Sequence, residues 1–168
     1  PVDIEEIQKS IAILKSNQVD YEFRTTVIKS LLPIEDFHGI GEAIARSYAS
    51  EGASVVITYS TKRKEAESIA EQIGAELVLH LDVRDRLSIK KVFKEVYERY
   101  NKIDILVNNA GVNRTADFDK QTDEEWNEVI DVNLSGPFRC SQEVLPFISD
   151  FGRIINIGSL SAEYGGPR

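Results

Sequence analysis

The chain has 168 residues, a length that suits one domain able to bury its own core, and its 28 acidic and 20 basic residues give a formal net charge of −8. The acidic balance argues against a nucleic-acid partner held through its phosphates, and no apolar run is long enough to cross a membrane. The single cysteine, Cys140, excludes a disulfide framework and a cysteine-ligated metal or iron–sulfur site, so we expect a cytoplasmic protein without a metal.

The first part of the chain contains two helical patterns separated by one strand pattern. Apolar residues at helical spacing predict a helix over residues 4–14. Residues 19–28 alternate and are rich in β-branched and aromatic types, which predicts a strand. A second helix is predicted over residues 35–51, with Gly52 as its stop.

From residue 53 onward, strand and helix patterns alternate regularly. Strands are predicted at 53–59, 76–81, 103–108 and 152–157, and helices are predicted to begin near Thr61, at Arg86 and at Thr122. Such alternation is typical of a parallel sheet with right-handed crossovers and helices on both faces. We therefore predict an α/β protein, with a Rossmann-like doubly wound sheet of about five strands in three layers, within a single domain 1–168.

Within the stretch 104–111 the sequence changes from apolar residues to asparagines and small residues, and this change is the clearest indication of a binding site. An apolar strand ends abruptly in Asn108, Asn109, Ala110 and Gly111. The carboxyl ends of strands form the binding crevice in an open parallel sheet. Asparagine side chains bond neighbouring backbone there, and Ala-Gly leaves room for another group to approach. The alternative is an ordinary Asn/Gly turn.

From about Gly39 onward, five motifs resemble those of the short-chain dehydrogenase/reductase family. They are Gly39-Ile-Gly-Glu-Ala-Ile-Ala, Asp82-Val, Asn108-Asn-Ala-Gly, Asp131-Val-Asn-Leu and Asn156-Ile-Gly-Ser. The resemblance implies that Asp82 bonds the adenine of a dinucleotide and that Asn108, Asn109, Ala110 and Gly111 line its crevice. It also implies that Asn133 and Ser159 are two members of a catalytic tetrad, in which the serine polarises a carbonyl.

The other two tetrad members are expected in a Tyr-x-x-x-Lys motif about a dozen residues after Ser159. Tyr164 is too close to Ser159, and no lysine follows it. We therefore expect no intact catalytic set and no dehydrogenase activity, with Asn133 and Ser159 as vestiges.

The family's phosphate-binding turn is also altered. Gly39 and Gly41 remain of its glycines, but no Thr-Gly precedes them, and Glu35 and Asp36 bring negative charge where phosphates would lie. We therefore expect no cofactor, with weak binding of NADP or NAD as the alternative. Lys62 or Arg63, after the second strand, would favour the 2′-phosphate of NADP; a solvated helix start is the other interpretation.

Residues 1–38 resemble a helix–strand–helix piece of a radical-SAM activating enzyme, on the strength of Ile11-Ala-Ile-Leu-Lys-Ser, Val19-Asp-Tyr-Glu-Phe-Arg-Thr-Thr-Val and Glu35-Asp-Phe. The two resemblances meet near residues 37–42. This meeting suggests an engineered chimera in which a borrowed strand replaces the dehydrogenase's first strand, next to residues 103–108.

Three functions follow as hypotheses. The first is an engineered Rossmann-like scaffold without catalytic activity. The second is an inactive NAD(P)-binding fragment, and the third is an NADP-dependent oxidoreductase whose other parts lie outside residues 1–168. We also expect some self-association, with Trp126 as a core residue or an oligomer contact.

Overall fold

Strands and helices alternate throughout the part of the chain that the structure, a computed structural model, describes: residues 24–29, 38–114 and 117–159. The elements are β1 (Arg24–Lys29), α1 (His38–Ser50), β2 (Ser54–Tyr59), α2 (Arg63–Ile73), β3 (Leu77–His80), α3 (Arg86–Tyr100), β4 (Ile103–Asn108), α4 (Asp123–Ile130), a π-helical segment (Asp131–Ser135), α5 (Gly136–Val144) and β5 (Ile148–Asn156). The predicted helix over residues 4–14 lies outside the described residues. No helix within those three ranges is long and apolar enough to span a membrane.

All five strands are parallel and lie in the order β3-β2-β1-β4-β5. In the middle strand, Thr26 is in register with Val56 of β2 on one side and Leu106 of β4 on the other. The chain therefore runs outward from β1 in one direction to β3 and then in the other to β5. Because the winding direction reverses between β1 and β4, this is the switch point at which open α/β sheets bind ligands.

Two apolar clusters lie on opposite faces of the sheet. One contains Ile44, Ala45 and Tyr48 of α1, Ala66, Ile69 and Ala70 of α2, and Val55, Ile57, Ile105 and Val107 from the strands. The other contains Ile89, Val92, Phe93 and Val96 of α3, Cys140 and Val144 of α5, and Val56, Ile103 and Leu106 from the strands, together with Leu81, Val83 and Val132. Alternate residues of β2 and β4 enter different clusters, as the two-residue period of a strand requires. The predicted α/β fold with parallel strands, covered on both faces, is confirmed.

Several predicted boundaries match the structure and two do not. α3 and β4 have the predicted bounds, and Thr122 caps α4 by accepting a hydrogen bond from the Glu125 backbone N–H while the Glu125 carboxylate accepts one from the Thr122 N–H. The helix that begins there is interrupted by the π-helical segment, which was not predicted. β5 begins at Ile148 rather than at residue 152, and its pairing with β4 shifts register between Ile103 and Ile105.

Gly136, the first residue of α5, marks a close approach between that helix and the turn after β3. A Cβ atom built on Gly136 would lie 2.8 Å from Cγ2 of Val83. Only glycine allows the helix to pack at this distance without movement, so Gly136 fixes the position of the π-helical segment relative to the sheet.

Trp126 of α4 is 58% exposed. The expectation that it is a core residue is therefore wrong for this chain. Its exposure leaves the other interpretation, an oligomer contact, as a prediction.

Candidate functional site

A cleft of about 810 Å³ lies at the carboxyl ends of β4 and β5, beside α4, the π-helical segment and α5. It is lined by Asn108, Asn109, Ala110, Gly111, Val112, Asn113, Val129, Asn133, Leu134, Pro137, Phe138, Ser141, Asn156, Ile157, Gly158 and Ser159. Six of the nine predicted site residues thus meet in one cleft: Asn108, Asn109, Ala110, Gly111, Asn133 and Ser159. The remaining three, Gly39, Gly41 and Asp82, are not among its lining residues.

Asn108 forms the floor of the cleft and is only 4% exposed. Its side-chain Nδ2 donates hydrogen bonds to Oδ1 of Asn156 at 2.8 Å and to Oγ of Ser141 at 3.3 Å. Its carbonyl oxygen accepts from the N–H of Ile157 at 2.9 Å. Its buried Oδ1 has no hydrogen-bond partner among the described residues, and such an atom favours a ligand that donates a hydrogen bond to it.

Asn133 holds the loop that follows β4. Its Nδ2 donates to the carbonyl oxygen of Val112, and its Oδ1 accepts from the Val112 N–H, both at 2.8 Å. Asn133 is the middle residue of the π-helical segment, and such insertions in helices frequently lie at functional sites. The side chain is therefore committed to fixing the loop.

Ser159 and Asn156 complete the polar side of the cleft. The parallel register pairs Asn108 with Asn156, which brings the two amides side by side at the end of the sheet. Ser159 follows three residues later and is exposed. A hydroxyl in this position can donate a hydrogen bond to a carbonyl oxygen. The described lining residues contain no side chain that titrates near neutral pH, so the cleft by itself supplies polar contacts and no general acid.

Gly39 and Gly41 lie near the beginning of α1, as its second and fourth residues, after β1. Gly39 is exposed, and a Cβ atom built on it would have no atom within 4 Å, whereas Gly41 is buried. The predicted helix start near Pro33 and the acidic residues Glu35 and Asp36 lie outside the described residues.

Asp82 lies in the turn after β3 and is engaged by Arg84. Its Oδ1 accepts from the backbone N–H of Arg84 at 2.9 Å, and its Oδ2 accepts from Nη2 of the same residue at 2.7 Å. This hydrogen bonding from Arg84 lowers the pKa of the Asp82 carboxyl, against the opposing effect of its partial burial. Nε of Arg84 also donates to Oδ1 at 3.0 Å and to Oδ2 at 3.2 Å, so Arg84 alone occupies the roughly four acceptor positions of this carboxylate.

Lys62 and Arg63 lie at the start of α2, where each is paired with a nearby carboxylate. Lys62 Nζ lies 3.6 Å from Oε1 of Glu65, and Arg63 Nε lies 2.7 Å from Oε1 of Glu67. The Arg63 side chain is 70% exposed, so its ion pair competes with water and is easily exchanged for another anion.

Sequence reasoning did not select Ser141 or Phe138 as site residues. Ser141 follows Asn133 and Pro137 at intervals of four, and this helical spacing on one face is the signal that would have found it. Asn156 belonged to a quoted motif but was not selected; its signal is the strand pairing, which is not visible in one sequence.

No group of three or more His, Cys, Asp or Glu side chains that could hold a metal occurs within residues 24–29, 38–114 and 117–159. Cys140 is a buried residue of α5, and burial raises the pKa of its thiol to about 12. A thiol with this pKa is protonated and inert at neutral pH.

Comparison with known proteins finds strong similarity along most of the chain. A family model described as Enoyl-(Acyl carrier protein) reductase matches residues 35–168. The 3-oxoacyl-(acyl-carrier-protein) reductase FabG of Staphylococcus aureus is 36% identical over 145 residues, which cover 83% of this chain and 59% of the relative. The FabG of Escherichia coli is 41% identical over 130 residues, covering 76% and 53%. The chain thus spans about three-fifths of the length of the curated relatives it matches.

Solved structures with the same fold include a short-chain dehydrogenase of Burkholderia cenocepacia in complex with NADP. Its TM-score is 0.76 and its identity 29%, and the match covers 87% of this chain and 59% of that one. A short-chain dehydrogenase/reductase of Brucella melitensis, described as glucose/ribitol dehydrogenase, matches with a TM-score of 0.77 and 26% identity over 89% of this chain and 63% of the other.

These matches correct the interpretation of residues 1–38. Residues 35–168 make up only about four-fifths of the chain, so matches that cover 87% and 89% of it must include residues before 35. β1 lies between β2 and β4, so the predicted place of this strand next to residues 103–108 is confirmed, and that place is common to both interpretations. Nothing in the comparisons supports a radical-SAM segment or an engineered chimera, and that hypothesis is wrong.

The prediction of a scaffold that is not an enzyme is contradicted by the same findings. The matched proteins are named as reductases and dehydrogenases, and the cleft retains the family residues Asn133 and Ser159 together with the loop after β4. The expectation that no cofactor binds is weakened too, because one matched structure holds NADP and another, from a metagenomic library, holds NADPH. The chain belongs to the short-chain dehydrogenase/reductase family.

Proposed function

We propose that this chain forms the NADP(H)-binding part of an oxidoreductase that reduces a carbonyl group, with a 3-oxoacyl thioester on an acyl carrier protein as the substrate. The observation that carries the proposal is the cleft in which Asn108, Gly111, Asn133 and Ser159 meet at the carboxyl ends of β4 and β5. The named activity of the FabG relatives supports the substrate class.

The described residues fit a dinucleotide in three respects. The cleft lies beside the switch point between β1 and β4, where the carboxyl ends of the strands leave a crevice. Gly39, near the beginning of α1, has open space where a side chain would be, and the first turns of helices attract phosphate. The buried Oδ1 of Asn108 can accept a hydrogen bond from a ligand.

A bound nicotinamide would supply the hydride for the reduction. The role of Ser159 is to donate a hydrogen bond from its hydroxyl to the carbonyl oxygen of the substrate, which stabilises the negative charge that develops there. The role of Asn133 is to hold Val112 and thereby the wall of the cleft. The proton that completes the reduction comes from outside the described lining residues, which include no suitable acid.

Preference for NADP over NAD is assigned to Lys62 and Arg63. Both cations lie just after β2, the strand end at which dinucleotide-binding folds contact the ribose 2′ position. Their present partners, Glu65 and Glu67, are exposed enough for a 2′-phosphate to replace them at small cost.

The binding step is tested by titrating the chain with NADPH and with NADH, using nicotinamide fluorescence and calorimetry. We expect saturable binding that is tighter for NADPH; no saturation at millimolar NADPH would contradict the proposal. Gly39→Asp and Gly39→Asn provide a matched pair, because the two side chains have the same size and differ in charge. We expect Gly39→Asp to weaken binding at least tenfold more than Gly39→Asn, through repulsion of phosphate.

The chemical step is tested by following NADPH consumption with a 3-oxoacyl thioester. Ser159→Ala is expected to lower turnover at least a hundredfold, while NADPH affinity stays within twofold of that of the parent chain. Equal losses of affinity and turnover would show that Ser159 acts on folding or cofactor binding instead.

We also propose that the chain associates with a second copy of itself through the outer side of α4, the π-helical segment and α5. Trp126, Leu134 and Phe138 are 58%, 65% and 62% exposed, and the last two also line the cleft. Large apolar side chains exposed in this way are typical of an interaction surface. Sedimentation of the parent chain and of Trp126→Glu tests this, with a shift toward monomer expected in the variant.

A further inference from the structure

An ion pair between Arg114 and Glu128 joins the loop after β4 to α4. Arg114 donates to Oε2 of Glu128 from Nε at 2.7 Å, and its Nη2 lies 2.5 Å from the same oxygen. The two side chains are 29% and 30% exposed, so water screens the pair only in part. Because both nitrogens of the guanidinium edge engage the carboxylate, the pair restricts orientation as well as distance.

The residues next to this pair belong to the wall of the cleft. Asn113 precedes Arg114, Val129 follows Glu128, and both line the cleft. The same loop is held two residues earlier by the reciprocal bonds between Val112 and Asn133. The loop is thus held at two points, by Glu128 of α4 and by Asn133 of the π-helical segment, which follows α4 directly.

Other charged groups surround the pair without replacing it. Arg84, in the turn after β3, lies near enough to Glu128 and Asp131 for both carboxylates to raise the pKa of its guanidinium, after the larger effect of its hydrogen bond to Asp82. Asp131 accepts a hydrogen bond from Nη2 of Arg139 at 2.7 Å. Glu128 therefore faces two guanidinium groups, and Arg114 is the one that contacts it directly.

We propose that Arg114 and Glu128 are positioning residues that set the width of the cleft by fixing the loop 111–114 against α4. The consequence for ligand binding rests on the function proposed above: with the pair broken, the wall formed by Gly111, Val112 and Asn113 keeps the hydrogen bonds of Asn133 and the packing of Val112 against the apolar cluster, and loses its tie to Glu128 of α4. Neither residue contacts the reacting atoms; both act through the backbone of the loop.

The loop itself is tested without any ligand, by amide hydrogen exchange in the chain. Arg114→Gln and Glu128→Gln are each expected to speed exchange of the Val112 N–H about fivefold, the effect of losing a partly exposed ion pair. The double variant should match either single one, because both substitutions break the same contact. Exchange in β4 over residues 103–107 should stay unchanged.

Arg99 and Glu76 provide the matched control. Their ion pair, at 2.5 Å, also joins two elements, but it lies beside the beginning of β3 and the end of α3, at the opposite edge of the sheet. Arg99→Gln should leave Val112 exchange unchanged. Equal rates at Val112 in Arg114→Gln and in the parent chain would overturn the proposal, as would the same acceleration in Arg99→Gln.

The effect on ligand binding is measured separately, as the dissociation constant for NADPH. We expect Arg114→Gln to weaken binding about fivefold and Arg114→Lys, which keeps the charge, to recover at least half of that loss. If the parent chain binds no NADPH, the proposed function fails while the exchange result still decides the positioning role. If the parent binds and both variants bind equally well, the positioning role in the cleft is refuted.

Discussion

Two groups of residues, one lining the cleft and the other beside it, make different kinds of contact. One side, which we term the amide side, consists of Asn108, Asn133 and Asn156, whose contacts are neutral hydrogen bonds. The other, the charged side, consists of Asp82, Arg84, Arg114, Glu128, Asp131 and Arg139. Neutral hydrogen bonds respond little to salt or pH, whereas partly exposed ion pairs respond to both. The two sides should therefore differ in how their contacts respond to salt and pH.

The amide side should give the largest effect when it is broken. Asn108→Ala removes a 4% exposed side chain and its bonds to Asn156 and Ser141, so we expect the free energy of unfolding to fall by about 2–3 kcal/mol. Urea denaturation measures this. Asn113→Ala, at an exposed position of the same cleft, is the control and should change stability by less than about 0.5 kcal/mol. Equal losses of stability in the two variants would show that the buried hydrogen bonds of Asn108 stabilise the fold no more than an exposed side chain of the cleft does.

The close approach of α5 to the turn after β3, beside both sides, is tested by Gly136→Ala. The added Cβ would meet Val83 at 2.8 Å, so the helix or the turn after β3 must move, at a cost of about 1–3 kcal/mol. Gly158→Ala is the control, since its Cβ would meet no atom within 4 Å. Similar stability of the two variants in thermal denaturation would show that the approach at Val83 relaxes freely.

Asn133→Ala should have a smaller effect on stability, because the side chain is exposed and water replaces part of what is lost. We expect a loss of about 1 kcal/mol, together with faster amide exchange at Val112 than Arg114→Gln produces. Asn127→Ala, exposed on the same helix, is the control. If Asn133→Ala leaves Val112 exchange unchanged, the loop is held by the charged side alone.

The smallest expected effect lies at Asp82 and appears as a pH dependence. Because Arg84 lowers the pKa of Asp82 in the folded chain, Asp82 contributes stability above its unfolded pKa of about 3.9, and the contribution is lost as pH falls through the lower folded value. The difference in unfolding free energy between the parent and Asp82→Asn should therefore shrink below about pH 3.9. A difference that is constant from pH 7 to pH 2.5 would show that the pair with Arg84 stabilises nothing.

Local patterns predicted the elements whose stability is local. The bounds of α3 and β4 and the cap at Thr122 follow from helical spacing, strand length and capping chemistry, and each agrees with the structure. The roles of Asn108, Asn133 and Ser159 were predicted from family motifs and stay predictions; the structure shows that the three residues line one cleft.

Features that depend on contacts distant in the sequence were not predictable in this way. The π-helical segment reflects the bonds of Asn133 to a loop 21 residues earlier and the approach of Gly136 to Val83, which no short window contains. The engagement of Asp82 by Arg84 is a local contact between residues two apart, but the sequence alone does not distinguish this partner from a bound ligand.

The error over residues 1–38 has a physical explanation. A run of β-branched residues such as Thr25, Thr26 and Val27 suits the middle of any parallel sheet, so it is compatible with several α/β folds and discriminates poorly between them. The position of that strand next to β4 was predicted correctly and fits both interpretations. The similarity to known proteins along most of the chain is what separates them.

The π-helical segment has a further consequence for how this chain tolerates insertions and deletions. An extra residue in a helix turns everything after it by about 100°, so the segment Asp131–Ser135 determines the angular phase of α5 relative to α4. Deleting one residue there would leave every side chain's chemistry in place and present a different side of α5 to the sheet, moving Cys140 and Val144 out of the core. In this part of the chain, residue count constrains the fold as strongly as residue identity.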